Sequence, residues 1–153
     1  MANYYADSRV PVKRHVNEVG SQWFRGLVDL TSGHLIFTAR VSLVEVYSAL
    51  NRRAREAHLA LADYTALASD FTACVAEYQL VELTPPVVDH ARSLLERHSL
   101  RAYDALQLAS AWLTDTALAA NQLAPLTFLT ADDRLLAVAQ LEGLATDNPN
   151  RHP

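Results

Sequence analysis

Asn3-Tyr4-Tyr5-Ala6-Asp7-Ser8 is the stretch on which the fold turns. It opens with a short β-prone run, closes on an acid and a hydroxyl, and leads into a helix-compatible segment carrying Lys13 and Arg14. In an open parallel sheet, ligands gather at the carboxyl ends of the strands, so an Asp in that position is a chemical candidate. Three further acids fall at comparable junctions: Glu45 early in a helical pattern, Asp104 in a first helical turn, and Asp132 just past an apolar run.

Working outward, four more β-prone runs follow: Leu35–Thr38, Leu80–Leu83, Leu126–Leu129 and a short edge segment, Leu144–Thr146. They are mostly apolar, as parallel strands buried on both faces should be. Between them lie helical patterns at 21–30, 41–54, 57–75, 85–95, 102–120 and 133–141. The spacing at Leu61, Tyr64, Leu67, Phe71 and Cys74 predicts a core-facing stripe on the third of these. Thr84-Pro85 reads as a helix start. Strands alternating with helices predict a three-layer α/β/α domain over residues 1–146, built on a mostly parallel sheet of four or five strands. Residues 147–153, with two prolines and two asparagines, are expected to form a flexible tail.

Composition narrows the function. The chain has 153 residues, 50% of them hydrophobic and 20% charged, enough for one domain with a sizeable core. No apolar run approaches a membrane span, and no secretory leader pattern opens the chain, so a cytoplasmic protein is expected. Cys74 is the single cysteine and is expected to be buried on an amphipathic helix. A formal charge of -4 argues against a broad basic nucleic-acid footprint but leaves room for local phosphate contacts.

The four acids are the chemical signal. Each also has a local reading: Asp7 closes a strand, Asp104 suits a helix dipole, and Asp133 can serve Thr130 in a capping box, leaving Asp132 free. Glu45 is the odd one, set among Val41, Leu43, Val44, Val46 and Tyr47, where an unpaired carboxylate is costly. Delivered to one rim, the four carboxylates would repel one another unless a cation sat between them. Hard oxygen ligands without His or Cys suit Mg²⁺ or Mn²⁺, and such ions activate phosphodiesters and water, so phosphodiester hydrolysis follows. Ser8 can orient the first carboxylate or a metal-bound water. Other chemistries lack their residues: the four glycines form neither a dinucleotide fingerprint nor a P-loop, and the six histidines have no zinc-type spacing.

Four motifs in order resemble the PIN-domain family, above all its VapC-like toxins. They are Tyr5-Ala6-Asp7-Ser8 with Lys13-Arg14, Ser42-Leu43-Val44-Glu45-Val46, Tyr103-Asp104-Ala105-Leu106-Gln107-Leu108-Ala109, and Thr130-Ala131-Asp132-Asp133-Arg134-Leu135. The resemblance covers Tyr4 to about Leu144. It implies Asp7, Glu45, Asp104 and Asp132 as catalytic, metal-binding acids, with Ser8, Arg9, Lys13 and Asp133 in support. It also implies a Mg²⁺-dependent endoribonuclease (Mn²⁺ an alternative ion), an RNA substrate, a homodimer and a small antitoxin partner. The competing expectation is a catalytically silent PIN-like module that binds protein or RNA. One departure stands out: where the family has another small polar residue after Asp-Ser, this chain has Arg9, whose bulk and charge can distort a metal site built for a small neighbour but which is expected instead to touch an RNA phosphate or face solvent.

Overall fold

Tyr5 and Ala6 are neighbours in one strand and send their side chains to opposite faces, yet both are fully buried. Tyr5 joins a cluster with Leu94, Leu108 and Phe128, whereas Ala6 joins one with Phe24, Val28 and Ile36. A strand buried on both faces needs a helical layer on each side, and that is the architecture. The structure is a computed structural model describing Met1 to Pro153.

Five strands form one sheet: β1 (Asn3–Ala6), β2 (Leu35–Ala39), β3 (Gln79–Val81), β4 (Leu126–Leu129) and β5 (Ala145–Asp147), in the order β3-β2-β1-β4-β5. Every pairing is parallel, with Tyr5 opposite Phe37 on one side and Phe128 on the other. The chain builds outward from β1 to β3, then returns to lay β4 on the other side of β1. The order therefore reverses between β1 and β4, and the crevice outside their carboxyl ends is where such sheets bind ligands. Asp7 follows β1 there, and Thr130 to Asp132 follow β4.

The helices are α1 (Ser21–Val28), α2 (Ser42–Glu56), α3 (Leu61–Val75), α4 (Pro85–Arg97), α5 (Ala102–Ala120) and α6 (Asp133–Leu141). Helix α4 buries Val87, Ala91 and Leu94, spaced for one face, against α5. On α5, Ala105, Ala109 and Ala111 are fully buried, and the helix packs between the sheet and α4. Pro85 opens α4 with Thr84 at the cap position, but the Thr84 hydroxyl makes no capping bond.

Two expectations are corrected. The stripe foreseen on α3 is not a core stripe: Cys74 is the helix's only buried residue, and Leu61 is 80% exposed. Leu67 and Phe71 rest on Val46 and Leu50, so α3 leans on α2 rather than on the sheet. The turn between them uses neither Gly nor Pro. His58 adopts φ 50°, and the bonds from Leu59 N–H to the Ala54 carbonyl (3.1 Å) and from His58 N–H to the Arg55 carbonyl (3.2 Å) make a Schellman cap. The second correction concerns residues 147–153, which are tied down rather than loose. Asp147 ends β5, Pro149–Arg151 form a 3-10 turn, and the His152 ring stacks on Trp23 at 4.1 Å. Gly20, at φ 81°, lies so close to Pro149 that a Cβ would stand 2.3 Å from its carbonyl oxygen. Only glycine fits that approach.

Candidate metal and phosphodiester site

Three of the four expected acids meet around one cation, and that cation is Arg9. Its Nη1 donates to Asp104 Oδ1 at 3.0 Å and to Asp7 Oδ2 at 3.2 Å, while Nη2 stands 3.6 Å from Asp132 Oδ2. The Arg9 backbone N–H also donates to Asp7 Oδ1 at 3.0 Å. Arg9 thus turns inward, contrary to the expectation that it would face solvent or a phosphate. The physical reason is local: three carboxylates delivered to one rim are a deep negative potential, and the guanidinium two residues from Asp7 is the nearest charge that can neutralise it.

Asp7 is fully buried, and burial raises its pKa to about 6, against the opposing pull of the Thr130 hydroxyl and Arg9. The Thr130 hydroxyl donates to Asp7 Oδ2 at 2.7 Å and accepts from Asp132 N–H at 3.1 Å. It therefore links the ends of β1 and β4, a role the sequence reading assigned instead to helix capping. The cap of α6 is Asp132 itself, whose Oδ1 accepts from the N–H groups of Arg134 and Leu135, leaving Oδ2 toward Arg9. Asp133 points away, exposed, and accepts from Asn148 and Arg151. It fastens the carboxyl-terminal segment and takes no part in the rim.

Glu45 sits in the first turn of α2, beside the cluster rather than on Arg9. Ser8 Oγ donates to its Oε2 at 2.8 Å, and Gln107 Nε2 approaches its Oε1 at 3.4 Å. Ser8 therefore orients Glu45, not the adjacent Asp7. Gln107 was missed as a site residue, although its signal was legible: an amide inside the apolar run Leu106-Gln107-Leu108. It accepts from the Tyr5 hydroxyl at 2.9 Å and donates to Ser42 Oγ at 2.8 Å, tying β1, α2 and α5 together. Replacing Gln107 with Leu keeps the volume but removes the acceptor of the buried Tyr5 hydroxyl, which keeps only the bond it accepts from Ala39 N–H, and the donor to the buried Ser42 hydroxyl. Thermal or urea unfolding should show a loss of roughly 1–3 kcal/mol; unchanged stability would mean these hydroxyls find other partners.

Lys13, expected in support, is buried and committed elsewhere. Its ammonium donates to Glu18, to the Val19 carbonyl and to Asn150. It lines the same groove as Glu45, a hollow of about 740 Å³ that also holds Arg52 and Arg53. A smaller hollow of about 230 Å³ lies across the rim, bounded by Asp104 and Asp132 with Arg101 and Arg134.

A hard divalent ion needs oxygen donors, and the rim supplies them; the guanidinium is a stand-in that marks where positive charge is stabilised. The carboxylate oxygens stay spread around this broad planar group. The only set of three His, Cys, Asp or Glu donors within 4.8 Å of one another is elsewhere, at His15, Asp70 and Cys74.

The chain matches the family model described as PIN domain over residues 4–141, and it belongs to that family. It is 35% identical over 107 residues to Ribonuclease VapC45 of Mycobacterium tuberculosis, a match spanning 70% of this chain and 73% of that protein. Among solved structures it resembles VapBC2 from Rickettsia felis bound to a DNA fragment from their promoter, with a TM-score of 0.63 at 12% identity, covering 95% of this chain and 98% of that one. It also resembles a member of the VapBC family of toxin–antitoxin systems, VapBC-5 from Mycobacterium tuberculosis, with a TM-score of 0.55 at 16% identity, covering 97% and 98%. At those identities the structural likeness speaks for the fold alone. No helix is long and apolar enough to cross a membrane.

Proposed function

We propose that this chain is a Mg²⁺-dependent endoribonuclease, with Mn²⁺ able to substitute, acting as the toxin of a toxin–antitoxin pair. The observation that carries the reading is the convergence of Asp7, Asp104 and Asp132 on a single positive charge at the switch point of the sheet. Similarity to a protein named Ribonuclease VapC45 supports RNA as the substrate class. The likeness to VapBC assemblies supports an antitoxin partner.

Asp7, Asp104 and Asp132 would hold the ion, with Glu45 beside them. When bound, it would supply charge neutralisation at the scissile phosphate and acidify a water. Glu45, fixed by Ser8 and Gln107, would orient an attacking water and accept its proton. The grooves on either side of the rim each offer two arginines, Arg52 with Arg53 and Arg101 with Arg134, so a single strand crossing the acids would have its backbone gripped on both flanks. Helices α2 and α3 and the turn between them leave most of Val44 and Leu61 and over a third of Tyr47 and Leu59 uncovered, and a homodimer interface built there would bury them.

One observation favours a second reading. Arg9 fills the cation position with three ion pairs, as it would in a silent PIN-like module that binds protein or RNA without cutting it. Metal and RNA assays separate the two. Calorimetry should detect Mn²⁺ binding that Asp104→Asn weakens strongly, and RNA should be cleaved in Mg²⁺ but not in EDTA. Binding of RNA with no cleavage at saturating metal would select the silent module. Equal metal affinity in wild type and D104N would remove Asp104 from the site.

A further inference from the structure

The only closely gathered set of His, Cys and carboxylate donors lies away from the acidic rim. His15 caps the 3-10 turn Pro11–Arg14 that follows the Asp7 stretch, and Asp70 and Cys74 sit one turn apart on α3. His15 Nδ1 is 2.8 Å from Asp70 Oδ2, Cys74 Sγ is 3.9 Å from Asp70 Oδ1, and one ligand atom from each residue lies within 4.8 Å of the others. Ligands at Zn²⁺ bond lengths of about 2.0–2.3 Å sit roughly 3.3–3.8 Å apart around a tetrahedron. With one atom offered by each residue, the three already lie within 4.8 Å of one another, so small side-chain adjustments bring them to that spacing.

We propose that His15, Asp70 and Cys74 form a second cation site, for a borderline metal of the Zn²⁺ type, which clips α3 to the segment leading out of the acidic rim. Three features beyond the donor distances support it. The donor set is chemically selective: imidazole and thiolate suit Zn²⁺ or Co²⁺ and disfavour Mg²⁺, so this site and an all-carboxylate rim would sort different ions. The His15 side chain is 1% exposed, its ring held edge-on to Phe71, so one ligand is already oriented. And α3 is the helix least anchored by the core, with Cys74 its one buried residue, so a metal bond would supply an attachment that apolar contacts do not.

The surrounding charges permit it. Arg14 lies near Cys74, but its guanidinium is paired with Glu77. Burial lowers the pKa of His15, which keeps the imidazole neutral and able to ligate. Burial raises that of the Cys74 thiol, so binding must displace the Cys74 proton to solvent and should weaken as pH falls. An apolar cleft of about 460 Å³ between α2 and α3, bordered by His15 and Asp70, leaves room for a water as fourth ligand.

The inference is independent of whether the chain cleaves RNA, and its test reads the thiolate directly. The full chain, stripped of metal, would be titrated with Co²⁺ as wild type, Cys74→Ser, His15→Gln and Asp104→Asn, each checked for folding by circular dichroism. Wild type and D104N should take up one equivalent with a thiolate-to-cobalt charge-transfer band and tetrahedral d–d absorption, both displaced by Zn²⁺. Cys74→Ser should lose the charge-transfer band, and His15→Gln should weaken binding or lose the tetrahedral spectrum. Zn²⁺ should raise the melting temperature of wild type but not of Cys74→Ser. A folded wild type with no charge-transfer band, or Co²⁺ uptake abolished by D104N and kept in both other variants, would overturn the proposal. Should Cys74→Ser fail to fold, the wild-type band and the His15→Gln titration still decide it.

Discussion

Asp7→Asn is expected to reduce metal-dependent RNA cleavage by on the order of a hundredfold or more while making the metal-free protein more stable at neutral pH. The two effects come from the same burial. Asp7 is fully enclosed between β1 and β4, and its pKa lies near 6 because the ionised form has lost its water. A carboxyl raised above its unfolded value binds a proton more tightly in the fold than in the open chain. Its favourable contribution is therefore complete below about pH 4 and is lost as pH rises through 6. Asparagine removes the charge but keeps an oxygen for the Thr130 hydroxyl, so at pH 7 the variant should gain on the order of 2 kcal/mol over wild type, and the gap should close near pH 4. Activity moves the other way, because the rim loses a charge that holds the cation. Cleavage of an RNA pool in Mg²⁺, with EDTA controls and melting curves from pH 4 to 8, reads both. Full cleavage by folded D7N would end the catalytic assignment of Asp7. A stability gap that persisted unchanged at pH 4 would show that folding does not raise the Asp7 carboxyl.

How far the sequence carried the reading depends on the range of the forces involved. The parallel sheet was legible because strands buried on both faces must be apolar throughout, as Ile36 and Phe128 are. The acids were legible because each follows a strand or opens a helix, so Asp7, Asp104 and Asp132 arrive at one rim by topology alone. What was not legible lives in pairings across the chain. Thr130 reads as a local cap until β4 is laid beside β1, which puts its hydroxyl 2.7 Å from Asp7, a partner 123 residues away. Residues 147–153 have the composition of a loose end, and what fastens them is distant in sequence: Gly20 against Pro149, Trp23 against His152, Lys13 on Asn150, and Asp133 on Asn148 and Arg151. The apolar spacing on α3 is real, but spacing cannot say whether a face meets the sheet or a neighbouring helix, and here Leu67 and Phe71 meet α2.

Arg9→Ala is expected to tighten Mn²⁺ and Mg²⁺ binding by roughly ten- to a hundredfold. The guanidinium and a divalent ion want the same oxygens, so in wild type the ion must first displace two charge-assisted hydrogen bonds and a third ion pair. Such bonds contribute about 1.5–3 kcal/mol each when net effects are counted, and forfeiting the equivalent of one of them corresponds to that range of affinity. Without Arg9 the carboxylates repel one another with nothing between them, so the metal-free variant should melt lower than wild type at low salt. Metal should then raise its melting temperature by more than it raises that of wild type. The displaced side chain has somewhere to go, since Arg9 also borders the groove shared with Arg52 and Arg53, where a phosphate could receive it. Cleavage then tells what the arginine is for. If it grips substrate once displaced, R9A should bind metal tightly yet show a raised KM for RNA with kcat little changed. If it only blocks the ion, R9A should cleave at metal concentrations too low for wild type. Equal metal affinity in the two proteins would mean that the ion and Arg9 do not compete, and that the cation the rim holds is not seated among Asp7, Asp104 and Asp132.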